Sequence, residues 1–207
     1  MAQSVRNIIV GAANVFVSVS GKTDGTAAAV ATSLTSGDAR TLIAADTNYV
    51  DVGYTTNGLE ISYEPNFGEV AVDQSLDAAR IFKQAMKVTL KTEFAEATLE
   101  NLLVAWAQPA DAISGKTSTD NAVLDYQGGQ LGDYPLERSL QAIGPGPRTA
   151  SVGKTGQRIY YASRVLSLDT SAHGLKRDTS TTFPVTFRLL PLASASNSYG
   201  KITDRIF

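Results

Sequence analysis

Four stretches of this chain alternate apolar and polar residues with a period of two, and only one carries the period of a helix. Successive side chains of a strand point to opposite faces, so such alternation marks strands with one covered and one solvated face. Leu59, Ile61 and Tyr63 alternate with Glu60, Ser62 and Glu64. Val70 and Val72 are flanked by Glu69, Ala71 and Asp73, and Met86, Val88 and Leu90 alternate with Lys87, Thr89 and Lys91. Val185, Phe187 and Leu189 alternate with Thr186 and Arg188. A chain built this way folds as antiparallel sheet.

The helical exception covers residues 98–108. Leu99, Leu102, Leu103 and Trp106 fall at i, i+3, i+4 and i+7, one apolar stripe suited to packing on a sheet. Thr98 is placed to cap the first turn, Glu100 suits its positive end, and Pro109 stops it. Further strands are predicted over residues 7–19, 136–143, 157–168 and 183–192, the first with apolar residues on both faces. Residues 20–47 are mostly Ala, Thr, Ser, Gly and Asp and read as a long extended loop that wants a partner. Residues 77–84 read as a loop or a short helical turn, and 109–132 as a connection able to carry a hairpin. About seven strands and one helix predict a mainly β single domain over 1–207, an antiparallel sandwich or barrel with one flanking helix.

Several chemistries find no footing. The chain has no cysteine, which excludes disulfides, Cys-ligated metals and thiol catalysis. With 18 basic and 20 acidic residues the net charge is -2, so no global field holds nucleic acid. No segment approaches the roughly 20 apolar residues of a membrane span, and the apolar run at Ile8, Ile9 and Val10 is too short for a signal-peptide core. Gly-Lys-Thr tripeptides begin at Gly21, Gly115 and Gly153, but Phe16, Ala110 and Arg148 stand where a phosphate loop requires its upstream glycine. His173, the single histidine, lies in a loop with no sequence context for a triad, and the segment around it departs from a calcium loop. The expectation is a protein that is not an enzyme and holds no cofactor or metal.

Pro65 to Gly68 reads as a turn, so that 59–64 and 69–74 pair as a hairpin with Glu60, Glu64, Glu69 and Asp73 on one face. Three roles suit such carboxylates: a solvated face, an acid–base pair, or the lining of something.

Residues 53–64, the run Val72-Asp73-Gln74-Ser75, and the run from Phe94 to Leu102 follow an order that resembles the central block of the siphophage major tail protein family. The C-terminal half resembles it too: a strand ending at Leu168, a hydrophilic spacer through Arg177 and Asp178, then Phe183-Pro184-Val185-Thr186-Phe187. The resemblance implies a tail tube subunit: hexameric rings whose inner strands close a barrel, stacked into a hollow tube, with a long loop at about 20–57 reaching neighbouring subunits or rings. It further implies a structural virion protein of a bacteriophage tail, present in the host cytoplasm during assembly. Its partners would be copies of itself and the tape-measure, tail-tip and tail-terminator proteins. Double-stranded DNA would pass during genome ejection without specific binding, along a lumen lined by Glu60, Glu64, Glu69 and Asp73. Two other readings stand beside it: the tube of a related injection or secretion particle, and a monomeric β-sandwich that binds a ligand such as a carbohydrate.

Overall fold

A computed structural model describes residues 9–18, 37–74, 76–115, 121–147, 155–168, 171–192 and 198–206. Its centre is one antiparallel sheet. Strands β1 (Asn14–Ser18), β2 (Tyr49–Asp51), β3 (Thr55–Val70), β4 (Arg80–Phe94), β7 (Arg138–Pro145), β8 (Gly156–Ser167) and β9 (Phe183–Leu189) lie in the order β2-β1-β7-β8-β9-β4-β3, and β10 (Gly200–Ile206) pairs with β8. A separate two-stranded ribbon joins β5 (Ile113–Ser114) to β6 (Val123–Leu124). Helices α1 (Ala39–Ala44) and α2 (Leu99–Ala105) cover the sheet.

The two helices sit on opposite faces, as the alternation along β1 shows. Val15 and Val17 join the larger core with Leu140, Ala142, Phe94, Phe187 and, from α2, Leu103 and Val104. Phe16 points the other way, into a smaller cluster with Ile143, Ile159 and, from α1, Ala39 and Ile43. The expected sandwich or barrel with one flanking helix is therefore corrected in part. The fold is mainly β and antiparallel, but it is a single open sheet with a helix on each face, and no closed barrel forms among the described residues.

The second helix falls within the stretch read as loop. Asp38 caps α1 by accepting from Arg40 N, and buried Gln157 of β8 accepts from Ala39 N at 3.0 Å while donating to Asp38 Oδ1 at 2.6 Å. A side chain 118 positions away thus satisfies the helix start. Residues 19–36 of that loop lie outside the described residues. α2 is shorter than predicted, but Thr98 caps it, accepting from Asn101 N at 3.2 Å. Asn101 then donates to the carbonyls of Val52 and Glu96, tying the helix to the root of β3.

Arg138 is the main buried charge, 3 % exposed, and burial lowers its guanidinium to about 10. Its Nη1 donates to Ser18 O at 2.6 Å and its Nη2 to Gln108 O at 2.7 Å, so it joins the end of β1 and the chain after α2 to the start of β7. At the surface, Arg158 and Asp204 form a bidentate pair across β8 and β10 at 2.5 and 2.7 Å. Arg164 grips Glu137 in the same manner and donates to Pro191 O.

Replacing Arg138 with Met removes a donor from one buried and one half-buried carbonyl. A loss of roughly 2–4 kcal/mol is expected, read as a lower urea midpoint with unchanged slope. A second expectation concerns acid. The hydrogen bonds from Arg158 hold the Asp204 carboxyl below its ordinary 3.8. Burial pushes Asp38 up, but hydrogen bonds from Arg40 and Gln157 outweigh it and hold that carboxyl below 3.8 as well. A depressed folded pKa gives stability that is complete above the ordinary value and vanishes as pH falls through the folded one. Stability should therefore decline below about pH 4, and Asp204→Asn should remove part of that decline, on the order of 0.2–1 kcal/mol for so exposed a pair, measured by urea titration at pH 2–6.

Candidate assembly surface

β3 and β4 pair along 16 and 15 residues, and the hairpin runs far beyond the core. At its root, from residue 88 to 94, β4 is mostly buried and pairs with β9 through Thr89 to Phe94. Among the described residues, 80–87 have no strand neighbour but β3, and most of residues 60–70 and 80–87 are exposed. This outer part is an arm covered on neither face.

The expected turn at Pro65 to Gly68 is corrected: the chain runs straight through it, and the reversal comes at residues 71–79. Two facts allow this. β3 is an edge strand, where a proline's missing N–H costs no ladder bond. Gly68 faces Phe82, whose ring lies where a Cβ would stand, 2.7 Å away. The aromatic ring thereby covers the backbone that glycine leaves bare. Two irregularities shape the arm. Asn57 and Gly58, at φ 64 and 70, bulge out of β3 at its root, and an extra residue in β4 shifts the register opposite Asn66 and Phe67. Around the first bulge Asn57 Nδ2 donates to Glu93 at 2.6 Å, Thr182 donates to the same carboxylate, and Thr92 donates to Gly58 O.

Register assigns the arm's faces. Ile61, Tyr63, Pro65, Phe67 and Glu69 share one with Leu90, Val88, Met86, Lys83 and Ile81. On it Lys83 donates to Tyr63 Oη at 3.2 Å and sits over the tyrosine ring. Tyr63, Phe67 and Ile81 are 58, 56 and 62 % exposed there. The other face carries Glu60 opposite Lys91, Ser62 opposite Thr89, and Glu64 opposite Lys87, the last pair 3.8 Å apart. The four carboxylates predicted to share a face are thus divided. Glu60 and Glu64 lie together but are matched by lysines, Glu69 lies on the opposite face, and Asp73 lies beyond the strand in the tip loop.

Between the arm and β10 the sheet opens into a notch. β8 pairs with β10 along residues 156–162 and with β9 along 165–167, so β9 ends where β10 begins. The gap is an apolar pocket of about 360 Å³ lined by Ile61, Tyr63, Met86, Val88, Tyr160 and Ile202 among others. A smaller cavity of about 210 Å³ lies under α2, bounded by Val17, Val52, Leu103, Ile113, Asn101 and Arg138.

Of the predicted helix stripe, Leu103 is buried in the core, Leu102 and Trp106 are half-buried against it, and Leu99 is half-buried outside that cluster. The face that sinks deepest is Asn101, Leu103, Val104 and Ala105. His173 is an exposed loop residue that meets Phe183 edge-on and Trp106 at a tilt, with ring centroids 5.0 and 5.9 Å away, and Tyr126 meets Trp106 edge-on. Gly115 follows β5 at φ 71, while Gly21 and Gly153 lie outside the described residues. Among the described residues no group of three or more His, Asp and Glu is placed to hold a metal, and no helix is long and apolar enough to cross a membrane.

The sequence missed part of the basic side of the arm, since Arg80 and Lys83 fell in a stretch read as a loop or a short helical turn, and it missed β10 altogether. Alternation of Ile202 and Ile206 with Lys201, Thr203 and Arg205 was the available signal for the latter. Comparison with known protein families finds none that matches the chain, and no curated protein matches it either.

The arm should be separable from the core by mutation. Leu90→Ala, at a position 3 % exposed, is expected to cost about 2–5 kcal/mol. Phe67→Ser, out on the arm, should change stability by no more than about 0.5 kcal/mol. Urea denaturation of the two variants checks both.

Proposed function

We propose that this chain is the repeating subunit of a siphophage tail tube, a structural protein that assembles as stacked hexameric rings around a channel for double-stranded DNA. The observation that carries this reading is the arm. A two-stranded ribbon exposed on both faces is marginal in water, and a long unpaired strand edge offers backbone groups to another chain. Its length and its Ile61, Tyr63 and Phe67 row make sense for a chain completed by its neighbours. The order of residues along the chain, which resembles the tail tube family over two segments, points the same way.

A closed inner barrel would then be a property of the ring, built from open sheets joined edge to edge. The polar face of the arm suits the channel. Glu60 and Glu64 among Lys87 and Lys91 make a hydrated, nearly neutral wall that neither grips phosphate nor strongly repels it. Glu69 and Asp73 do not belong to that wall if Glu60 and Glu64 do, because Glu69 faces the other way and Asp73 sits at the tip. Rings stacked head to tail form a contact that does not close, which yields a filament. Tape-measure, tail-tip and tail-terminator proteins are the partners this role requires. The same geometry would serve an injection or secretion tube, and a tape-measure gene beside this one decides for a phage tail.

Tyr63, Tyr160, Tyr161 and Tyr199 around the notch favour a second reading, a monomeric domain that binds an apolar or sugar ligand there. Negative-stain electron microscopy over a concentration series, with solution mass alongside, separates the two. Hollow tubes or six-fold rings are the expected result. A monomer at every concentration, even with a tail-initiation complex added, would reject the tube.

A further inference from the structure

A third hollow differs in chemistry from the notch and from the cavity under α2. It lies between residues 107–109, which follow α2, and the loop over 127–137, and has a volume of about 790 Å³. Its walls include Gln108, Gln127, Gln130, Asp133, Tyr134 and Glu137. Most of these are pinned from behind. Gln108 docks the loop much as a neighbouring strand would, its Oε1 accepting from Gln127 N at 3.0 Å and its Nε2 donating to Gln127 O at 3.2 Å. Asp133 accepts from Gln130 N at 2.5 Å, and Arg164 holds Glu137 through two nitrogens. Tyr134 lines the hollow yet is 98 % exposed, so its ring stands bare in water.

We propose that this hollow is a binding site for a neutral oligosaccharide. Each sugar hydroxyl both donates and accepts, and side-chain amides present a donor and an acceptor side by side, with the carboxylates as further acceptors. Gln108, Gln127, Gln130, Asp133 and Glu137 make a wall of that kind. An apolar ligand would strip water from those groups and return no hydrogen bonds, which is costly. Tyr134 supplies what a polar wall lacks. The negative face of its ring attracts the C–H side of a sugar ring, and a tyrosine loses little rotamer freedom when it is covered. Charge selects a neutral ligand. Arg164 balances Glu137, but Asp133 accepts from a backbone N–H and keeps its negative charge at the wall, so a uronic acid or a phosphate is repelled. The volume falls within the roughly 300–1,000 Å³ of sites that take a drug-sized ligand, so two or three sugar rings fit.

Saturation-transfer NMR on the full chain tests this, with cellotriose, maltotriose and the N-acetylglucosamine trimer as neutral probes and trigalacturonic acid as the charged one. At least one neutral trimer should bind with a Kd of about 10 mM or below, and the acidic trimer about tenfold more weakly or not at all. Tyr134→Ala should weaken binding by about tenfold or more. So exposed a side chain can be removed without disturbing the fold, which circular dichroism checks. Tyr63→Ser, at the notch, should leave binding unchanged. Failure of every neutral trimer to bind overturns the proposal, as does equal binding of the acidic one or binding that survives Tyr134→Ala. Binding lost with Tyr63→Ser and kept with Tyr134→Ala puts the sugar in the notch, which overturns this site and favours the monomeric reading. The tube reading does not depend on this site, and electron microscopy decides it separately.

Discussion

A strand edge holds one partner at a time, and β8 divides one of its edges between two. Along residues 165–167 it pairs with β9, and along 156–162 with β10. Everything at the margin of the fold follows from that exchange. Because β9 stops, β4 loses its inner neighbour beyond Thr89 and carries β3 out into solvent. Because β10 takes the vacated place on β8, the sheet forks instead of continuing, and the apolar notch opens between the branches. Arg158 with Asp204 and Arg164 with Glu137 clamp the neighbours of β8 on either side of the exchange.

The core and the arm are therefore held by different physics. The core is packing: Phe16, Phe94, Phe187, Leu140 and Ile159 are almost wholly removed from water, and burial of such side chains contributes roughly 1.5–3 kcal/mol each. Arg138 and Gln157 are its polar joints, each satisfying backbone groups from segments far apart in sequence. The arm has a backbone ladder, cross-strand charge pairs and the Phe82 ring over Gly68, and little else. Ladders of two strands are weak in water, so its order depends on what lies beside it.

What could be read from the sequence was what is local. The alternation of Leu59 to Glu64 and of Met86 to Lys91 marked strands that are present, and Thr98 marked a helix start that is present. Pro65 and Gly68 misled because their turn signal is a statement about central strands and bare backbone. An edge position silences the first and the Phe82 ring the second. That error split one strand into a false hairpin and placed four carboxylates on a face that two of them do not share. α1 was illegible for the opposite reason: six residues are too few to show a period, and what holds them, the packing of Ala39 and Ile43 on Phe16, Ile143 and Ile159 and the bond from Ala39 N to Gln157, comes from strands elsewhere in the chain. The arm's surface was half legible. Its acidic strand stood out, as did Lys87 and Lys91 across from it, while Arg80 and Lys83 lay in a stretch read as a loop or a short helical turn.

The exposure of the arm has a consequence for how this sequence can vary. A substitution at Val15 or Leu140 is judged at once by the residues packed around it. One at Phe67 or Ile81 is judged by little beyond the strand across from it. Such positions would drift freely in a chain that answered only to its own folding. Where they keep an aromatic row and a separation of charge, some other surface is holding them to it, and change there is permitted only in step with that surface. On the tube reading proposed above, the chain would thus be written in two parts, one dictated by itself and one by its neighbour.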